Sequence, residues 1–129
     1  MRLLLDTHVL IGVIGERSRT LTGGIRRLLE DPAAELHVSV ASLWEIAIKS
    51  RLDKLTISVG LDALPDLIDS MAMELMPILA GHVLAAVEPE PPTRDPFDRL
   101  LLAQCQWEGL RLVTLDGALV DHPLAAKGP

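Results

Sequence analysis

Apolar residues fall into two alternating patterns along this chain, short unbroken runs and runs that recur every three or four positions. Leu3-Leu4-Leu5 is an unbroken run of the kind a strand buried on both faces shows, so a strand is expected over 2–5. His8 to Ile14 reads as a helix, with Asp6 or Thr7 as its cap and Gly15 as its stop. Thr20 to Glu30 reads as a second helix, ended by Asp31-Pro32, and Glu35 to Ser39 as a second strand. Val40 to Arg51 is a helix capped by Ser39. Its apolar positions Val40, Leu43, Trp44, Ala47 and Ile48 share one face, while Ser42, Glu45 and Lys49 share another.

Residues 52–59 form a connector. Leu61 to Met73 is helical with Pro65 near its first turn, and Glu74 to Ile78 is a strand that Pro77 confines to an edge or shortens. Ala80 to Val87 is a helix, followed by the stiff, irregular linker Glu88-Pro89-Glu90-Pro91-Pro92. Asp95 to Glu108 is a helix ended by Gly109, Arg111 to Thr114 a strand, Asp116-Gly117 a turn, and the tail from Asp121 is expected to be loose. Strands alternating with helices, without hairpin signals, make this an α/β chain with a mostly parallel sheet covered on both faces, expected as a single domain over 1–129.

In such sheets ligands bind beyond the carboxyl ends of the strands. Asp6 and Asp116 lie at or just past strand ends, and Glu45 lies on the helix that follows a strand. Asp98 lies in the first turn of a helix running antiparallel to the strands. All four acids therefore point to one end of the sheet. Each has a local alternative. Asp6 is a good N-cap residue, and Glu45 fits an i,i+4 pair with Lys49. Asp98 suits the third position of a helix capped by Asp95, and Asp116-Gly117 is a common turn pair. Four carboxylates gathered without matching bases repel one another unless a divalent cation with oxygen ligands neutralises them. The shared location therefore points to metal-dependent hydrolysis and to raised carboxyl pKa values when no metal is bound.

Composition narrows the alternatives. The chain has 129 residues, of which 49% are hydrophobic and 23% charged, enough for a sizeable core. Aromatics are limited to Phe97, Trp44 and Trp107, so the core must be aliphatic. A net charge of −6 disfavours a nucleic-acid partner, unless bound cations invert the field around the acids. The single cysteine, Cys105, excludes an internal disulfide and sits in an apolar run as core filler. Asp6 interrupts the N-terminal apolar run too early for a secretory leader, and no segment is suited to span a bilayer, so the cytoplasm is the default location. His8, His37, His82 and His122 lack zinc-ligand spacing, and Gly23-Gly24 lacks the residues of a phosphate-cradling loop.

Four stretches, in order, carry a resemblance: Leu3 to Leu10, Ser39 to Lys49, Arg94 to Gln104 and Leu112 to Asp116. Together they resemble the PIN-domain ribonucleases of the VapC toxin type. The resemblance implies a three-layer α/β/α sandwich and a magnesium- or manganese-dependent endoribonuclease with one or two ions. It also implies an RNA substrate, a homodimer and a small antitoxin partner. It places the acidic quartet on Asp6, Glu45, Asp98 and Asp116, with Asp6 and Asp98 the most central ligands. Asp95 and Thr114 become candidates for a supporting role, and Lys49 and Arg99 for phosphate contact. Val9, Leu10 and Val13 could receive an antitoxin segment, but core is the favoured reading. Two departures stand out: Asp121 to Pro129 lacks an apolar, aromatic-containing final strand, and Pro91-Pro92-Thr93-Arg94 has no evident role.

Two other readings compete. A haloacid-dehalogenase-type phosphatase also places an Asp after the first strand, but wants a second Asp where this chain has His8. A PIN-like scaffold that only binds RNA or oligomerises would need no metal, yet all four acidic positions are filled.

Overall fold

Leu3 and Leu5 pack into one apolar cluster and Leu4 into another, so strand β1 (Arg2–Leu5) is buried on both faces, as its unbroken apolar run requires. The computed structural model describes residues 1–15 and 21–127. After β1 come α1 (Thr7–Ile14), α2 (Gly23–Glu30), β2 (Glu35–Ser39), α3 (Val40–Arg51) and a 3₁₀ turn (Leu61–Ala63). They are followed by α4 (Leu64–Ser70), β3 (Met73–Met76), α5 (Ala80–Leu84), α6 (Pro96–Glu108) and β4 (Arg111–Val113). The strands form one sheet in the order β3-β2-β1-β4, and every pairing is parallel. Leu4 lies opposite His37 of β2 on one side and Leu112 of β4 on the other.

The first cluster joins Val9, Leu10 and Ile11 of α1, Ile25 of α2, Ile46 of α3 and Ile68 of α4 to one face of the sheet. The second joins Leu101, Leu102 and Cys105 of α6 to the other, completing a three-layer α/β/α sandwich. Val9 and Leu10 are fully buried and Val13 packs against the same cluster, which is the core reading of those positions. Cys105 is fully buried, and burial pushes its thiol up to about 12, against a smaller opposing pull from Arg111. A thiolate-directed reagent should therefore leave Cys105 untouched in the folded protein and modify it on denaturation, which a timed thiol titration with and without urea would check.

Several boundaries differ from the pattern-based expectation. The predicted start of the second helix, Thr20, lies outside the described residues. The observed helix begins at Gly23, because Thr22 accepts the Ile25 amide and takes the cap. The helix expected to run to Met73 stops at Ser70, where Ala72 enters the left-handed region (φ 58) and turns the chain into β3. That leaves Met73 free to pair with Leu36 at the edge of the sheet, and the strand spans Met73–Met76 rather than Glu74–Ile78. Helix α5 ends at Leu84, not Val87, and Val87 instead plugs the second cluster. His82, also buried, accepts the Leu79 amide on Nδ1, so its Nε2 carries the proton and donates to Glu108 at 2.8 Å, tying α5 to α6.

Two further expectations need correcting. The face of α3 read as apolar is not the buried one: Ala41, Ser42, Glu45 and Ile46 are buried, and Trp44 is 59% exposed. The tail expected to be loose is packed as far as Lys127. Leu112 donates its amide to Leu124 and accepts that of Ala126, and Ala125 forms a single parallel bridge with Leu112. The final strand is thus reduced to one bridge, and the Leu124 amide turns to His122 Nδ1 instead of the sheet. Among the described residues no helix is long and apolar enough to cross a membrane.

Candidate functional site

The carboxyl end of the sheet carries the acids because each strand hands over to a loop or helix there. Asp6 follows β1 directly. Its amide bonds to the Val113 carbonyl at 2.9 Å, extending the β1–β4 ladder by one rung and fixing the residue. Asp6 occupies the N-cap position of α1, yet its side chain makes no capping bond. It turns instead to Thr114, whose hydroxyl donates to Oδ2 at 2.6 Å. The same hydroxyl accepts the Asp116 amide at 3.0 Å, so one Thr joins the ends of the first and last strands. Asp116 also accepts the Ala118 amide on Oδ1, which is its expected turn role.

Glu45 enters from the second turn of α3, the helix capped by Ser39. Nearby, Thr7 donates its hydroxyl to Ser42 at 2.9 Å, a fully buried link between α1 and α3. Glu45 also makes the predicted i,i+4 pair, with Lys49 Nζ at 2.8 Å. Asp98 enters from the first turn of α6. Asp95 caps that helix by accepting the Phe97 and Asp98 amides, and Pro96 fills the first helical position. Thr93 donates to Asp98 Oδ2 at 3.3 Å and accepts the Asp95 amide. Arg99 reaches the Thr93 carbonyl through Nε and pairs with Glu90. Arg99 therefore ties the proline-rich linker to α6, and Thr93 gives that stretch a role the sequence did not reveal. The Thr7–Ser42 bond was equally hidden, although Ser42 and Glu45 lie three apart and so share a face.

The electrostatics link the acids to one another. Burial raises the Asp6 pKa, and the charge of Glu45 adds to that; the Thr114 hydrogen bond, His8 and the Thr7 amide oppose it. Asp98 is pushed up to about 6, first by burial and then by the charges of Asp95, Asp6 and Asp116, with Thr93 opposing. Asp6 thus interacts with Glu45 and Asp98, and Asp98 with Asp116, so the four acids predicted from separate segments lie within electrostatic reach at one end of the sheet. Burial grades outward: Asp6 and Glu45 are buried, Asp98 and Asp116 partly exposed, Asp95 exposed.

Among the described residues no three or more His, Cys, Asp or Glu side chains stand close enough to enclose one ion. The donor set is nonetheless all oxygen and anionic, and it includes one carboxylate pair whose ionisation is costly as it stands. Such a set suits a hard divalent cation. Magnesium retains several waters and takes only one or two carboxylates, so an open arrangement fits it better than a closed cage.

This parallel α/β/α sandwich, with acids at the carboxyl end of its sheet, also matches a family model. The model for the PIN domain matches residues 3–123, and the chain belongs to that family. PIN domains are generally nucleases that bind divalent metals. A search of curated proteins finds no match to this chain.

Proposed function

We propose that this protein is a magnesium- or manganese-dependent endoribonuclease, the toxin half of a toxin–antitoxin pair. The observation that carries the reading is the placement of Asp6, Glu45, Asp98 and Asp116, drawn from four separate segments, at the carboxyl end of the sheet of a PIN domain. Asp6 and Asp98 are the residues to hold the metal most directly, with Glu45 and Asp116 as further ligands, through water or by direct contact. When bound, a divalent cation would lower the pKa of a coordinated water and relieve charge on the phosphate under attack. Thr114 keeps one Asp6 oxygen oriented. Thr93 orients Asp98 Oδ2, and the Asp95 cap fixes the backbone of Asp98. Lys49 steadies Glu45, and Arg99 braces the loop that carries Thr93, so both act on the site through a neighbour rather than on phosphate.

The direct test is cleavage of an unstructured RNA by the purified chain. Cutting with Mn²⁺ or Mg²⁺ that stops on chelation supports the reading, and cutting unaffected by EDTA removes its metal. An independent readout is thermal stability. Millimolar Mg²⁺ or Mn²⁺ should raise the melting temperature, because a ligand bound only by the folded state stabilises it by about 2.7 kcal/mol at a hundred times its Kd. An unchanged melt would count against an assembled site. In cells, expression should arrest growth and an antitoxin encoded beside the gene should relieve the arrest. In solution the chain should run as a homodimer.

A further inference from the structure

Trp44 is the most conspicuous side chain left unexplained. It is 59% exposed on α3, where the apolar pattern of the helix predicts a core residue. Its ring meets Phe97 edge to face, with centroids 5.6 Å apart and planes at 71°. Phe97, in turn, packs against the second apolar cluster, so the exposed indole stands on a fixed support. Trp44 immediately precedes Glu45, and Phe97 immediately precedes Asp98. The aromatic pair therefore joins α3 and α6, the two helices that also carry Glu45 and Asp98.

We infer that Trp44 is the stacking platform for an unpaired base of single-stranded RNA next to the bond being cut. The inference rests on the nuclease reading above and adds how the substrate is held. A chain of net charge −6 draws little affinity from phosphate. Two cations on the helices that carry Glu45 and Asp98 are engaged, Lys49 with Glu45 and Arg99 with Glu90. Stacking supplies affinity without cations, because every base presents a π-face, and it selects single strands, whose bases can splay out. A platform on the same two helices as Glu45 and Asp98 would set the register of the strand on the acids. Trp44 would be a substrate-binding residue and take no part in the chemistry.

Trp44 and Trp107 are the only tryptophans, so Trp107→Phe leaves one reporter. In that variant, with Ca²⁺ present, an unstructured ten-nucleotide RNA should quench the remaining indole fluorescence. In steady-state cleavage with Mn²⁺, Trp44→Ala should raise KM within the roughly 5- to 150-fold range of one lost base stack, with kcat little changed. Trp44→Phe should recover most of the loss, and the defect should persist at raised salt. Absence of quenching in a chain that cleaves RNA overturns the platform and spares the nuclease. Quenching in a chain that never cleaves keeps the platform and sinks the nuclease. Unaltered KM in Trp44→Ala, together with a dimer that falls to monomer, overturns the platform in favour of a protein interface.

Discussion

Asp98→Asn should reduce RNA cleavage at least about a hundredfold and yet raise the melting temperature of the metal-free protein at neutral pH. The loss follows from removing a charged ligand. Metal-assisted stabilisation of the reaction is worth several kcal/mol, and each 1.36 kcal/mol is tenfold in rate. Asp6→Asn should lose activity to the same extent. Retained cleavage in both variants would refute their roles. The stability gain follows from the crowding of charge. Asp98 is raised from the ordinary 3.8 to about 6 by burial, Asp95, Asp6 and Asp116, so the fold prefers it protonated. Its stabilising contribution is complete below about pH 4 and is lost as the pH rises through about 6. At pH 7 in EDTA the wild type carries this cost and the amide does not. Melting curves at pH 5 and pH 7 should show the variant's advantage growing with pH. A variant equally or less stable than wild type at both values would show that charge crowding does not govern the site. Stability gained by removing catalytic groups is a common trade at active sites.

Leu4→Ala should be the most damaging single truncation away from the acids. Leu4 is fully buried on a central strand, paired with β2 and β4, and packed beneath α6 in the second cluster. Its loss removes apolar contacts and leaves a cavity that a two-sided ladder cannot close. Buried Leu-to-Ala changes cost about 2–5 kcal/mol, a large share of the roughly 5–15 kcal/mol that holds a domain together. For a chain of this size the melting temperature should fall by about 10–20 °C. Leu84→Ala, at a residue 83% exposed, is the control and should change stability by less than about 0.5 kcal/mol. Equal melts for the two variants would mean that β1 is not the centre of the core.

Local rules hold wherever one residue decides the outcome alone. Ser39, Asp95 and Gly109 cap their helices as their chemistry dictates, and Gly109 takes the left-handed conformation (φ 70). The rules fail where a neighbour decides. Nothing in the pattern Met71-Ala72-Met73 announces a helix end, since Ala is a strong helix former. The end comes from the demand of β2 for an edge partner. Trp44 reads as core by spacing, but Glu45 must face inward at the carboxyl end of the sheet, and that rotation turns the indole out to solvent.

The alternation of apolar run and amphipathic helix was sufficient to determine a parallel α/β architecture, because strand and helix periods depend only on local geometry. It also named the four acids, because each follows a recognisable element boundary. Tertiary structure decided the rest of their setting: Thr114 on Asp6, Thr93 on Asp98, and the single bridge that closes the tail onto β4. These contacts join residues whose spacing carries no period, whereas the Glu45–Lys49 pair, one helical turn apart, was legible in the sequence. The Thr114–Asp6 bond and the tail bridge exist only once the sheet has brought its strand ends together.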